Sequence, residues 1–411
     1  MTSTNQTAHV IVLGAGYAGV MATNRLLSRL DQLGQPGRVE VTVINPRPEF
    51  VQRIRLHQLA TSSATVTAPL ADLLHPRARL QVGAATRIDP EAQVVLADGR
   101  ELSYDKLIYA VGSRTALTVP GSSIHAHQIG DLEGALATRG ALAELGRGAR
   151  VVVVGGGLTG VETAAELAER RPDLVVTLLA SRPLGSALSP RGRTLLGRTL
   201  ERLGVVVSEG VEVTRVEARR VHTADGRSWH HDLCLWAASL SAPSLAADSD
   251  LAVDARGRLL VDSTLRHPEF NQIVGAGDSV APPAEVAGHL RMSCAAALPL
   301  GAHAAQTVLA DLGADPSGGG ELSIGFVLQC LSLGRRAALV QAVAPDDTPR
   351  SLAFSGWLAV ITKEQISRYT FDVLSRERTR SGSYRTPSGP RPGTLAQMSQ
   401  HATPCPSGEQ S

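Results

Sequence analysis

Lysine is almost missing from this chain. Of its 40 basic residues only Lys106 and Lys363 are lysine, and the rest are arginine. The formal net charge is +2, which gives neither the basic footprint of a nucleic-acid binder nor a polybasic membrane patch. Cysteine is scarce too: Cys234, Cys294, Cys330 and Cys405 lie far apart with no C-x-x-C pair, which argues against a structural metal site and against dithiol redox chemistry. No run of about 18 apolar residues occurs, so no membrane-spanning helix is expected. Met1 to His9 is short and polar, without the charged and apolar regions of a signal peptide. These absences leave an intracellular, cytoplasmic globular protein with no nucleic-acid partner. Its 411 residues are too many for one core, so two or three domains are expected.

One design occurs twice. The run His9 to Leu13 leads into Gly14, Ala15, Gly16, Tyr17, Ala18 and Gly19, then a helical pattern to about Leu33. The run Arg150 to Val154 leads into Gly155, Gly156, Gly157, Leu158, Thr159 and Gly160, then a helix to about Arg170. Each is followed by a second β-branched strand, Val39 to Asn45 and Leu174 to Ala180. An unbroken apolar strand, glycines, a helix and another strand make a βαβ unit on a buried parallel sheet. Asp98-Gly99 and Asp225-Gly226 mark turns after each unit. Strands returning over 105–112 and 231–239 follow, then a strand from Phe270 that ends on Gly277-Asp278, and a small-residue helix around 294–312. The expected fold class is α/β: two Rossmann-like, three-layer nucleotide-binding domains in a glutathione-reductase-like arrangement, plus a small α+β C-terminal module. The boundaries read as 8–117 and 249–315 for one domain, 118–248 for the other and 321–376 for the module. From 379 to 411 the chain is rich in Ser, Pro, Gly and Arg, and disorder is expected there.

A phosphate can rest on a helix N-terminus only where the backbone turns sharply and comes close. In G-x-G-x-x-G the first glycine permits the turn, the second the approach and the third helix–strand packing. Gly14, Gly16 and Gly19 meet this spacing in the right context, and so do Gly155, Gly157 and Gly160. The residue ending the next strand should contact an adenosine ribose. In the first unit it is Asn45, which can donate and accept. In the second, Ser181 and Arg182 stand where an acid would select NADH, so the reading leans to NADPH, with NADH the alternative. Two dinucleotide sites without a dithiol imply one tight cofactor and one substrate. FAD with NADPH or NADH as electron donor is the economical pairing, since flavin accepts a hydride and releases electrons singly or in pairs.

The glycine segment 14–19, the stretch from Tyr104 to Ser113 and the stretch from Ile273 to Asp278 resemble the pyridine-nucleotide-dependent FAD oxidoreductases. Within them, Gly157 to Leu167 is most similar to type II NADH:quinone oxidoreductases and apoptosis-inducing-factor-like reductases. The resemblance implies FAD held by Gly14, Ala15, Gly16, Ala18, Gly19, Asn45, Arg53, Val82, Ala110, Gly112, Gly277 and Asp278, the last on the ribityl chain. It implies the nicotinamide nucleotide on Gly155, Gly157, Leu158, Thr159, Gly160, Ser181 and Arg182. Three side chains are candidates for chemistry. Glu162 would lie beside nicotinamide and flavin, binding the carboxamide or relaying a proton, although the helix dipole alone would favour an acid there. Lys363 could stabilise a reduced, anionic flavin or be a surface lysine. His57 could reach the flavin as a proton donor or attachment point, or be structural.

The expected function is hydride transfer from NAD(P)H to FAD, then electron transfer to a quinone or quinone-like small acceptor. The resembled quinone reductases carry two Gln after the Gly-Asp motif, whereas Ser293 to Gly301 contains none. The alternatives are a biosynthetic flavoenzyme acting on one aromatic substrate and a non-catalytic redox sensor. Ile366, Tyr369 and Val373 fall on one helical face, which fits packing on the flavin domain or peripheral contact with the inner face of a membrane. A homodimer is compatible with the sequence.

Overall fold

The computed structural model describes residues 7–391. Two five-stranded parallel sheets form its cores. In the first, the strands run in the spatial order Ile273–Gly275, Lys106–Tyr109, Ala8–Leu13, Val39–Asn45, Ala78–Val82. The second runs His127–Gln128, Leu233–Trp236, Arg150–Val154, Val175–Ala180, Val206–Glu209. Val10 to Leu13 and Val151 to Val154 are buried throughout, as a parallel sheet covered on both faces demands. A three-stranded antiparallel ribbon is inserted between strands of each sheet, 85–103 in the first and 213–230 in the second. In the first ribbon Asp98 and Gly99 both have positive φ, 48° and 73°, as a two-residue type I′ turn requires.

The first sheet is completed only after the chain has built the second. Arg114–Thr115 pairs antiparallel with Leu240–Ser241, so the outgoing and returning chains form one two-stranded connection. The helices that matter here are α1 (Tyr17–Gln32), α2 (Leu56–Thr61), α3 (Leu158–Arg170), α4 (Cys294–Asp311) and α5 (Trp357–Thr379). α1 and α4 pack closely: a Cβ on Gly301 would lie 2.2 Å from the Ala18 carbonyl oxygen, so only glycine admits the approach.

The C-terminal module is an antiparallel sheet, Leu328–Ser332, Ala338–Val343 and Pro349–Ser355, followed by α5. It belongs to both cores. Leu331, Leu333 and Leu339 pack with the second sheet's helices, and Val373 and Leu374 of α5 pack into the first. Each such burial contributes about 1.5–3 kcal/mol. The face of α5 that packs on α1 carries Ser367, Thr370, Val373, Leu374 and Glu377, while Tyr369 is exposed. The expected face of Ile366, Tyr369 and Val373 is therefore split between core and solvent. Polar residues on α1 meet α5: Asn24 donates to the carbonyls of Leu73 and Leu374 at 2.8 and 2.9 Å, and Arg25 pairs with the fully buried Glu377 at 2.6 Å.

The expected disorder from 379 does not hold for 379–391. Glu377 accepts the amides of Gly382 (2.7 Å) and Tyr384 (2.9 Å), and Arg25 holds the Tyr384 carbonyl at 2.7 Å. Tyr384 is buried in the first core. A buried carboxylate with an arginine and two amides ties this polar segment down, which composition alone does not reveal. Residues 392–411 lie outside the described residues.

Candidate active site

Both glycine turns have the geometry their spacing predicts. Gly14 has φ +93°, and a Cβ on it would lie 2.4 Å from the Ala110 carbonyl oxygen. A Cβ on Gly19 would lie 1.9 Å from the Gly14 oxygen, whereas one on Gly16 meets nothing within 4 Å. The first and third glycines are thus filled by protein, and the second faces open space. The second turn repeats this: Gly155 (φ +125°) abuts Ala237, a Cβ on Gly160 would lie 1.8 Å from the Gly155 oxygen, and one on Gly157 meets nothing. Ala237 is the counterpart of Ala110. Helices α1 and α3 start on Gly16 and Gly157 with no side-chain cap. By contrast, Asp131 caps Leu132–Ala143 and Ser189 caps Pro190–Arg202. The first-turn amides of α1 and α3 are therefore left for an anion. Leu158 and Thr159 are the first two residues of α3.

Around the first turn, Asn45 accepts the Ala15 amide at 2.9 Å and donates to the Arg47 carbonyl at 2.7 Å. It thus braces the glycine loop as well as standing at the expected ribose position. Val82, 50% exposed, ends the neighbouring strand and pairs with Asn45. Gly112 has φ +73° and precedes Ser113, whose hydroxyl donates to Asp278 Oδ2 at 2.8 Å. Arg53 donates to Ser113 Oγ and to the Gly130 carbonyl, both at 3.1 Å. Gly277 (φ +76°), just before Asp278, packs against Ala18: a Cβ on Gly277 would lie 2.9 Å from Ala18 Cβ. Burial raises the Asp278 carboxyl above its ordinary value, with Arg53 and Ser113 opposing. Asp278 Oδ1 is buried with no hydrogen-bond partner among the described residues. Such an orphan is costly unless a ligand hydroxyl fills it, so the residues present fit the ribityl chain of FAD.

The three chemical candidates come from distant segments and meet. Lys363 Nζ donates to Glu162 Oε1 at 3.0 Å and to the Cys330 carbonyl at 3.2 Å. The Ser332 amide donates to the same Glu162 oxygen at 2.9 Å. His57 Nδ1, on α2, is 4.0 Å from Glu162 Oε2, and its Nε2 is buried without a partner among the described residues. Burial pushes Glu162 upward, but Lys363, His57 and the Ser332 amide together outweigh it, so the carboxyl sits below its ordinary value. Burial likewise opposes the Lys363 charge, and Glu162 overcomes it and keeps the ammonium above its ordinary value. His57 is pulled down to about 4, by burial first and with Glu162 opposing. At neutral pH the cluster therefore holds a carboxylate, an ammonium and a neutral imidazole. Lys363 is no surface residue, and the proton stored here is on Lys363 rather than on Glu162 or His57.

Sequence reasoning missed several residues of this site. Cys294, at the start of α4, is raised to about 11 by burial, with Lys363 opposing and Asp278 and Glu162 adding to it. It thus lies within charge range of both ends of the site. Burial also raises Cys330 to about 11, so both are neutral thiols and poor nucleophiles. Ser332 and Cys330 act through backbone groups, which carry no sequence signal. Ser181 and Arg182 are exposed at the end of Val175–Ala180. No cluster of three or more His, Cys, Asp or Glu suited to a metal occurs among the described residues, and no helix there is long and apolar enough to cross a membrane.

Known proteins share this fold. A sulfide:quinone oxidoreductase from Aquifex aeolicus superposes with a TM-score of 0.77 at 20% identity, over 91% of this chain and 92% of that one. NDH2 from Plasmodium falciparum, solved in complex with NADH, gives 0.75 at 14% identity over 92% and 99%. These likenesses carry the fold. In sequence, an NADH dehydrogenase-like protein of Mycobacterium tuberculosis is 32% identical over 378 residues, 87% of this chain and 92% of the relative. Another such protein, from Bacillus subtilis, is 29% identical over 67% of this chain and 77% of its own. With both cradles, the returning strands and the Gly-Asp turn inside the matching residues 8–304, the chain belongs to the pyridine nucleotide-disulphide oxidoreductase family.

Proposed function

We propose that this oxidoreductase takes a hydride from NAD(P)H and passes the electrons to a quinone-like small acceptor. The family pairs FAD with a nicotinamide nucleotide. FAD when bound supplies the two-electron to one-electron exchange that amino-acid side chains cannot. The observation that carries the reading is the Glu162–Lys363–His57 cluster, one helical turn from the second cradle and in charge range of Cys294 beside Asp278.

The protein's own groups have separate tasks. The uncapped turn of α1 and the Arg53–Ser113–Asp278 chain hold the cofactor, and the uncapped turn of α3 holds the donor's pyrophosphate. Glu162, kept ionised by Lys363, can accept from the donor's carboxamide through Oε2. Lys363 uses two of its three N–H donors on Glu162 and Cys330, leaving one. That N–H is free to donate a hydrogen bond to negative charge developing on the acceptor, Glu162 keeps the ammonium in place, and the proton that completes the reduced acceptor comes from solvent. The neutral thiols of Cys294 and Cys330 take no part as nucleophiles.

The test is anaerobic reduction of the purified yellow protein by NADH or NADPH, followed by turnover with a panel of quinones. Bleaching and turnover on several quinones are expected, and reduction without turnover on any quinone would overturn the acceptor assignment. The absence of Gln from Ser293 to Gly301 favours a second reading, a single specific aromatic acceptor. Turnover confined to one such compound selects it.

A further inference from the structure

The donor site contains a carboxylate that the second βαβ unit does not supply. Its second strand ends on Ser181 and Arg182, exposed and without a side-chain hydrogen bond or ion pair among the described residues. The adjacent strand Val206–Glu209 runs parallel and sets Glu209 opposite Ala180. Gly210 follows with φ +67° and turns the chain back, so that the Val211 amide bonds the Ala180 carbonyl at 2.9 Å. Glu209 therefore stands at the mouth of the sheet beside the loop that opens with Ser181.

Glu209 is exposed, and one hydrogen bond anchors it there. Glu209 Oε1 accepts the Leu184 amide at 2.7 Å. Leu184 is buried and leans over the glycine turn: a Cβ on Gly156 would lie 2.8 Å from Leu184 Cδ2 and 2.6 Å from Ala180 Cβ. Glu209 is thereby tied, through Leu184, to the turn that cradles the pyrophosphate. Its second oxygen has no hydrogen bond or ion pair among the described residues.

In this fold the adenosine ribose lies just outside the end of the second strand, and neighbouring strands are about 4.8 Å apart. A glutamate side chain spans that gap. We propose that Glu209 reads the donor's ribose: its free oxygen accepts the 2′-hydroxyl of NADH, and its charge disfavours the 2′-phosphate of NADPH. The inference rests on the reading of Gly155–Gly160 as a nicotinamide-nucleotide cradle. Arg182 opposes it with the other charge. However, Arg182 is a long, unpartnered, solvated side chain that must be ordered to act, whereas Glu209 is already held. The third strand thus supplies the acid missing from the second, and the donor is the unphosphorylated nucleotide.

The test compares Kd values of the flavin-loaded protein for NADH and NADPH, and calorimetric binding of AMP and adenosine 2′,5′-bisphosphate. The wild type favours NADH and AMP by about tenfold at low salt, a preference that shrinks as salt screens the charge. Glu209→Gln keeps an oxygen for the Leu184 amide and narrows both ratios by roughly tenfold, mainly through tighter binding of the phosphorylated ligands. Arg182→Ala shifts them by no more than about twofold. A wild-type preference for NADPH, or ratios unmoved in Glu209→Gln, overturns the inference. If neither nucleotide bleaches the protein yet AMP discrimination is present and Glu209-dependent, the ribose assignment stands and the donor reading falls.

Discussion

Replacing Lys363 by methionine keeps the length of the side chain and removes its charge. The Lys363 side chain is 20% exposed and that of Glu162 11%, so both sit largely out of water. Removing one member of a buried pair costs about 3–5 kcal/mol, because the other charge is left without compensation. The residual exposure and the Ser332 amide put the cost here near the lower end, about 3 kcal/mol. The penalty carries a pH signature. In the intact protein Glu162 is held below its ordinary 4.5, so its stabilising contribution is present above that value and fades as pH falls through the lowered one. Without Lys363, burial is less opposed and the folded-state value rises above the unfolded one. The penalty is then absent at low pH, where Glu162 is protonated in both states, and grows as pH climbs past 4.5. Urea unfolding of the holoprotein at pH 5 and pH 8 is the assay. Lys363→Met loses more at pH 8, and the double variant Glu162→Gln/Lys363→Met is more stable at pH 8 than Lys363→Met alone. An equal loss at both pH values, or a purely additive double variant, refutes the coupling.

The two cradle glycines separate folding from binding. Gly16→Val folds with a normal circular dichroism spectrum but purifies colourless, because its side chain occupies the open phosphate position. Gly19→Val fails to fold, because its Cβ would lie 1.9 Å from the Gly14 oxygen. Asp278→Ala lowers FAD affinity by about ten- to a hundredfold, the loss of one hydrogen bond to a charged group, read by flavin release on dialysis. His57, lowered to about 4, contributes stability that is present above its ordinary 6.5 and is lost as pH falls towards 4. The loss is on the order of 3 kcal/mol, and urea midpoints at pH 7 and 4.5 fall less in His57→Gln than in the wild type.

The parts of this protein that are legible in its sequence are local. The strand–turn–helix around Gly14, Gly16 and Gly19 is legible because its parts follow one another along the chain, and the second unit repeats them. The chemical cluster was legible only as residue types. Glu162 and Lys363 are 201 positions apart, and no periodicity states that they touch. Lys363 stands out because lysine is rare here, Glu162 through family resemblance, and His57 through its place just after the first βαβ unit. Backbone partners such as the Ser332 amide and the Cys330 carbonyl left no trace, since any residue supplies them. Glu209 is hidden for a topological reason: it sits on the third strand, while the expected ribose contact lies at the end of the second. The order of 379–391 was missed because Arg25, on the first helix, and Glu377, near the last, hold a segment whose own composition is polar.

The sheet order has a consequence for biosynthesis. The first sheet has an outermost strand, Ile273–Gly275, drawn from beyond the whole second domain, and Lys363 and Glu377 come later still. A nascent chain that ends after the second sheet would hold that sheet finished beside an unfinished first one. Domains on one polypeptide tend to mature N-terminal first, and here that order is reversed. A chain cut short of Ile273 therefore carries the second sheet whole but lacks the edge strand of the first and the Gly277-Asp278 turn.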